Sequence, residues 1–175
     1  MGNKRRIAAR RRRQTRELRF LDSIGSRCET PAMKDSLAGT WNLVAWRRIA
    51  EDGAVSYPLG DEARGLLSYA GNGRMTVQIT GANRTALDTD DPLGGGEDAR
   101  AGAYSTYLAY FGTYEVQGQS VVHQIESSLY PNWAGETQVR PYTVESGQLV
   151  LHTPPMRLPD GTTVVNELAW MRERP

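Results

Sequence analysis

The chain has 175 residues, with 21 Lys and Arg, 20 Asp and Glu and a formal charge of +1, enough for one domain with a core of its own. That charge averages two unlike segments: residues 1–32 carry ten basic and three acidic groups, residues 33–175 eleven and seventeen. The acidic segment argues against general nucleic-acid binding, the single cysteine (Cys28) excludes a disulfide scaffold, and no apolar run approaches transmembrane length.

The first stretch, "NKRRIAARRRRQTRELRFLDSIG", is Arg-rich. Charge runs of this kind are solvated and unstructured, so residues 1–34 read as a basic extension and 35–175 as the folded domain. Three functional readings of the extension are a nucleic-acid patch, an anionic-membrane patch and an organelle transit segment. The charged start is not followed by the apolar stretch of a secretory signal, which makes a cytoplasmic protein the expectation.

From Thr40 the pattern changes to eight β-rich runs, at 40–49, 65–70, 74–80, 110–116, 120–130, 137–144, 148–153 and 162–173. Many alternate with period two. Short Gly-containing links at 70–74, 117–119 and 145–148 suit hairpins, so successive strands are antiparallel neighbours. Eight such strands predict an all-β, up-and-down antiparallel barrel, because closure removes both exposed edges.

Residues 81–96, "GANRTALDTDDPLGGG", read as a long loop, and the "GGG" lacks the Lys-Ser/Thr of a phosphate-binding loop. After it, "EDARAGAYSTYLAY" puts acids first and then Tyr104, Tyr107, Leu108 and Phe111 at helical spacing. This predicts a short helix before the fourth strand, across or beside one barrel mouth.

Alternation then maps the interior. The fourth strand turns Tyr110, Gly112, Tyr114 and Val116 inward, and the fifth Val121, His123, Ile125 and Ser127. The sixth turns in Gln138, Arg140, Tyr142 and Val144, and the last Val164, Asn166, Leu168, Trp170 and Arg172. The interior thus holds His123, Gln138 and Arg140 with Tyr107, Tyr110 and Tyr114. A buried Arg140 has to meet an anion, water or several acceptors. An apolar wall with a few oriented polar groups suits a small-molecule pocket; the alternative is a plugged barrel in which these groups satisfy one another. Between the fifth and sixth strands, "SLYPNWAGETQVR" turns at Pro131-Asn132 and returns at Gly135, leaving Trp133 to cap the core or line the mouth.

The stretches "GTWNLVAW", "YPLGDEARGLLSY", "AYFGTYEV", "SLYPNWAGETQVR", "LHTPP" and "LAWMRER" follow in order between Leu37 and Arg174. With them the chain resembles the bacterial and fungal lipocalin-like domain family. The resemblance implies a calycin-type barrel around a cavity for a small, mostly apolar molecule. It also implies that Trp41 packs at the closed end under Arg172, a structural cation–π contact.

For chemistry, the residue inventory leaves little. No G-x-S-x-G occurs, the two His and distant Cys28 do not make a zinc site, and no cofactor is expected. Three readings follow. The first is intracellular binding of a small, largely apolar or amphipathic molecule whose polar or acidic end meets Arg140 and His123, with Gln138, Tyr107, Tyr110, Tyr114, Tyr142, Ser127 and Trp133 around it. The second is a cofactor-free isomerase or cyclase in which His123 is the acid or base. The third is an interaction module that uses the basic extension.

Overall fold

The computed structural model describes residues 36–174; the basic extension, and the readings attached to it, lie outside the described residues. Ten strands follow in chain order: β1 (Gly39–Ala50), β2 (Val55–Ser56), β3 (Arg64–Tyr69), β4 (Arg74–Thr80), β5 (Tyr107–Gln117), β6 (Ser120–Ser128), β7 (Thr137–Glu145), β8 (Gln148–His152), β9 (Met156–Arg157) and β10 (Thr163–Arg172). Each long strand pairs antiparallel with the next, and β1 pairs with both β3 and β10. The sheet therefore closes into an eight-stranded barrel, with the two-residue β2 and β9 as flaps on β1 and β10.

Interior and exterior alternate most plainly in β4 and β7, where every second residue is exposed or nearly so. At one end three tight hairpins turn on Gly73, Gly118 and Gly147, each at positive φ. The same end is closed by Trp41, fully buried, whose indole donates to Leu37 O at 2.9 Å. The Arg172 guanidinium carbon lies 4.1 Å from the centre of the Trp41 ring, a contact worth roughly 0.5–2 kcal/mol. Arg172 also donates to the carbonyls of Ser36 and Ala38. Gly39 makes room for it: a Cβ there would stand 2.7 Å from Arg172 Nη1.

The other end carries the long connections, including 81–96 and the short helix α1 (Glu97–Ser105). The helix stops earlier than the aromatic spacing predicts. Tyr107 and Leu108 belong to β5, because pairing with β4 (Thr80 with Tyr107, Ile79 with Leu108) satisfies backbone groups that a longer helix would leave exposed on the β4 edge.

Two β-bulges reset the alternation. In β1 the register with β10 skips Val44, so Trp41 and Leu43 face inward before it and Trp46 and Arg48 after it, while Val44 is half exposed. In β6 the register with β5 passes from Ile125 opposite Gly112 to Ser127 opposite Phe111, leaving Glu126 unmatched. Ser127 is consequently turned to the exposed face beside Phe111, a correction to the inward position that plain alternation assigns it. Gly112 lets the strands approach at this bulge, since a Cβ there would lie 1.9 Å from Gln124 O.

Candidate functional site

His123, from the centre of β6, is fully buried. Tyr69 Oη lies 2.6 Å from its Nε2, and Tyr110 Oη 3.2 Å from its Nδ1. Both ring nitrogens are therefore engaged, and neither is free to ligate a metal or haem iron. Burial, and secondly the Arg140 charge, push the His123 pKa down to about 3, so the imidazole is neutral near pH 7. Burial raises the phenol pKa of Tyr69 well above its usual value, and neighbouring Tyr110 adds to the shift. Burial also raises that of Tyr110, against the charge of Arg140 and a hydrogen bond with it, both of which lower it. Tyr114 packs on Tyr69 with ring centres 4.5 Å apart and donates to Ala70 O at 3.1 Å. Together Trp41, Tyr69, Tyr114 and His123 fill the closed half of the barrel.

Above this plug the open half holds a cavity of about 430 Å³, within the usual range of roughly 300–1,000 Å³ for small-ligand sites. Its apolar wall includes Val77, Ile79, Leu108, Leu151, Leu168 and Trp170. Tyr110 and Trp133 pack edge-to-face on it with ring centres 5.7 Å apart. Trp133 sits in the short 3-10 turn Pro131–Trp133 that joins β6 to β7, and Gly135 at positive φ returns the chain.

Two polar groups of residues enter this wall. One is Arg140 with Gln138, neighbours on the inner face of β7, where Arg140 donates to Gln138 Oε1. The other is Arg48 with Asn166 and Thr153, in which Asn166 Oδ1 accepts from Trp46 Nε1 at 3.0 Å and from Arg48 Nε at 3.3 Å. Thr153 Oγ1 accepts the Asn166 backbone N–H at 2.9 Å. Among the described residues no Asp or Glu lines the cavity. The ion pairs among the described residues, Arg47–Glu167, Arg74–Glu126 and His152–Glu167, leave out both cavity arginines. A cationic, largely apolar chamber of this kind selects against cations and for a molecule with an anionic or strongly accepting end. On the same wall, the buried Trp170 Nε1 has no hydrogen-bond partner among the described residues.

Of the residues expected around a ligand, Arg140, Gln138, Tyr110 and Trp133 meet at the cavity. His123 and Tyr114 lie beneath it in the plug. Tyr142 is on the inner face of β7, with its hydroxyl buried, without a hydrogen-bond partner among the described residues, and with its pKa raised by burial. Tyr107 is on the outer face of β5, donating to Gln78 Oε1 at 2.8 Å with Arg84 stacked on its ring, so it does not reach this cavity. It borders instead a shallower depression of about 280 Å³ shared with Tyr104, Leu129 and Trp133. The sequence reading missed Arg48, Trp46 and Thr153 because the Val44 bulge inverts the parity of β1 after Leu43 and Thr153 lies past the end of β8. Asn166 was placed inward by alternation but carried no sign of its role as the acceptor between Trp46 and Arg48. His152 is outside, 3.4 Å from Glu167, and does not converge with His123. Among the described residues no three His, Cys, Asp or Glu side chains are grouped to hold a metal ion.

A closed up-and-down barrel with a plugged end, an arginine over the first-strand Trp and a cavity in the other half has the architecture of a lipocalin-like protein. The profile of the lipocalin-like domain family matches residues 38–173, and the chain belongs to that family. A curated relative is the 4'-hydroxy-3'-methoxypropiophenone carrier protein ppsC of Aspergillus oryzae (strain ATCC 42149 / RIB 40). It is 28% identical over 106 residues, covering 56% of this chain and 96% of that protein. Among solved structures, a lipocalin-like protein from Bacteroides uniformis ATCC 8492 aligns with a TM-score of 0.42 at 14% identity, over 79% of this chain and 99% of that one. No helix among the described residues is long and apolar enough to cross a membrane.

Proposed function

We propose that this protein is a cytoplasmic carrier for a small, largely apolar molecule, held in the open half of the barrel with a polar or acidic end against Arg140. The observation that carries the reading is a largely apolar chamber of about 430 Å³ into which Arg140 enters with no carboxylate partner. Arg140 has the neutral acceptors Gln138 and Tyr110 but, among the described residues, no counter-charge, so an acidic ligand gains affinity and orientation by supplying one. The relative that carries 4'-hydroxy-3'-methoxypropiophenone, by its name an aromatic ketone, supports an aromatic cargo among Trp46, Tyr110, Trp133 and Trp170. The isomerase or cyclase alternative needs an acid or base at the cavity surface. Tyr110, not His123, lines that surface, and His123 is neutral and occupied on both nitrogens.

The test is calorimetric titration with naphthalene-2-carboxylate, an apolar acid that fits the chamber, alongside native mass spectrometry of the purified protein for a co-purified small molecule. Arg140→Met should weaken the acid by about 2–5 kcal/mol, through loss of a desolvated charge pair. Equal affinities in the wild type and the variant would remove Arg140 from the site.

A further inference from the structure

Arg48 gives the cavity a second cationic pole, separate from the one at Arg140. Its Nε is fixed on Asn166 Oδ1, and its two terminal nitrogens have no hydrogen-bond partner among the described residues. Asn166 is only 4% exposed. Its carbonyl oxygen is shared with the Trp46 indole, and its amide donates to Thr153 Oγ1 at 3.5 Å and Met156 Sδ at 3.2 Å. The side chain that orients Arg48 is therefore itself locked, as a prebuilt binding site requires.

The two poles flank the paired strands β8 and β10, Arg48 on β1 and Arg140 on β7. Arg48 is in register with Asn166, and Thr153 N–H donates to Asn166 O at 2.9 Å. The β7–β8 pairing ends at Tyr142–Leu151, and Arg140 stands on β7 two residues past that end. Arg48 and Arg140 both line the same cavity, so their side chains share the space between them. An aromatic body alone could stack on the Arg48 guanidinium but would leave the terminal N–H groups of that guanidinium without acceptors.

We propose that the cavity is built for a bipolar ligand: a flat apolar body with an anionic group at Arg140 and a second anionic or strongly accepting group at Arg48, positioned by Asn166 and Thr153. This rests on the carrier reading and narrows its ligand class to aromatic diacids and their close analogues.

The experiment compares two probes with one carbon frame, naphthalene-2-carboxylate and naphthalene-2,6-dicarboxylate, by calorimetry on the full chain. The wild type should bind the dicarboxylate at least about tenfold more tightly, as a second desolvated charge pair implies. Arg48→Gln should abolish that preference, while Arg140→Gln should weaken both. Arg48→Lys, which keeps the charge, should retain part of the preference and shows that loss in the Gln variant is not misfolding. If the monocarboxylate binds in an Arg140-dependent way but the dicarboxylate binds no better, or its preference survives Arg48→Gln, the bipolar ligand is overturned and the carrier reading stands. If neither probe binds the wild type, both readings fall together.

Discussion

His123 makes the acid stability of this barrel predictable. In the unfolded chain its imidazole titrates near 6.5, while in the fold burial and Arg140 hold it to about 3. Between those values the unfolded state binds the proton and the folded state does not, so stability falls as pH falls; it is fully present above about 6.5 and lost progressively toward 3. At about pH 5 the deficit is roughly 1.5 pH units, or about 2 kcal/mol, and it reaches about 4 kcal/mol near pH 3. The assay is urea unfolding followed by the fluorescence of the four tryptophans, at about pH 7.5 and about pH 5. Wild type and His123→Gln are compared, the Gln retaining a donor and an acceptor for Tyr69 and Tyr110. Subtracting the variant removes the carboxylates, including Glu126 and Asp160, whose pKa values are lowered by Arg74 and by Thr162 respectively. The wild type should lose about 2 kcal/mol more than the variant on acidification. Equal losses would show that the buried imidazole is not the group that feels the pH.

Two further substitutions probe the frame. Gly112→Ala forces a Cβ onto Gln124 O at the β5–β6 bulge and should cost about 3 kcal/mol or more, read as a lowered denaturation midpoint or loss of folded protein; a neutral effect would mean the bulge can open freely. Arg172→Met removes the stack on Trp41 and two donations to backbone carbonyls, and should cost about 2–4 kcal/mol in chemical unfolding without changing ligand affinity. A melting curve identical to wild type would assign that end's stability to the apolar plug alone.

The strand pattern was legible because alternation is a local property. Alternation offers Gln138, Arg140, Tyr142 and Val144 as one face of β7 without deciding its direction, since the opposite face holds Val139, Pro141 and Thr143; the structure has the first four less exposed than their neighbours. The site was legible only in part. Arg140, Gln138, Tyr110 and Trp133 were within reach of the period-two argument. Arg48 and Ser127 were not, because each lies beyond a bulge that adds one residue on one strand only. A bulge depends on the partner strand, so no count along a single strand finds it. Tyr107 was misread for a related reason: helical spacing continued past Ser105, but the free edge of β4 captured the chain as strand.

By itself the sequence determined a closed antiparallel barrel and its hairpins, since these follow from side-chain period, turn glycines and the cost of bare sheet edges. Only the tertiary structure decided what His123 does. Held between Tyr69 and Tyr110 below the cavity, it is a buried strut that a composition-based reading takes for an acid or base. The structure also decided that the cavity has two cations: Arg48 and Arg140 lie 92 positions apart in the chain and are brought to one wall by barrel closure between β1 and β10. Closure and register are set by contacts between distant strands, and those contacts are absent from any local stretch of residues.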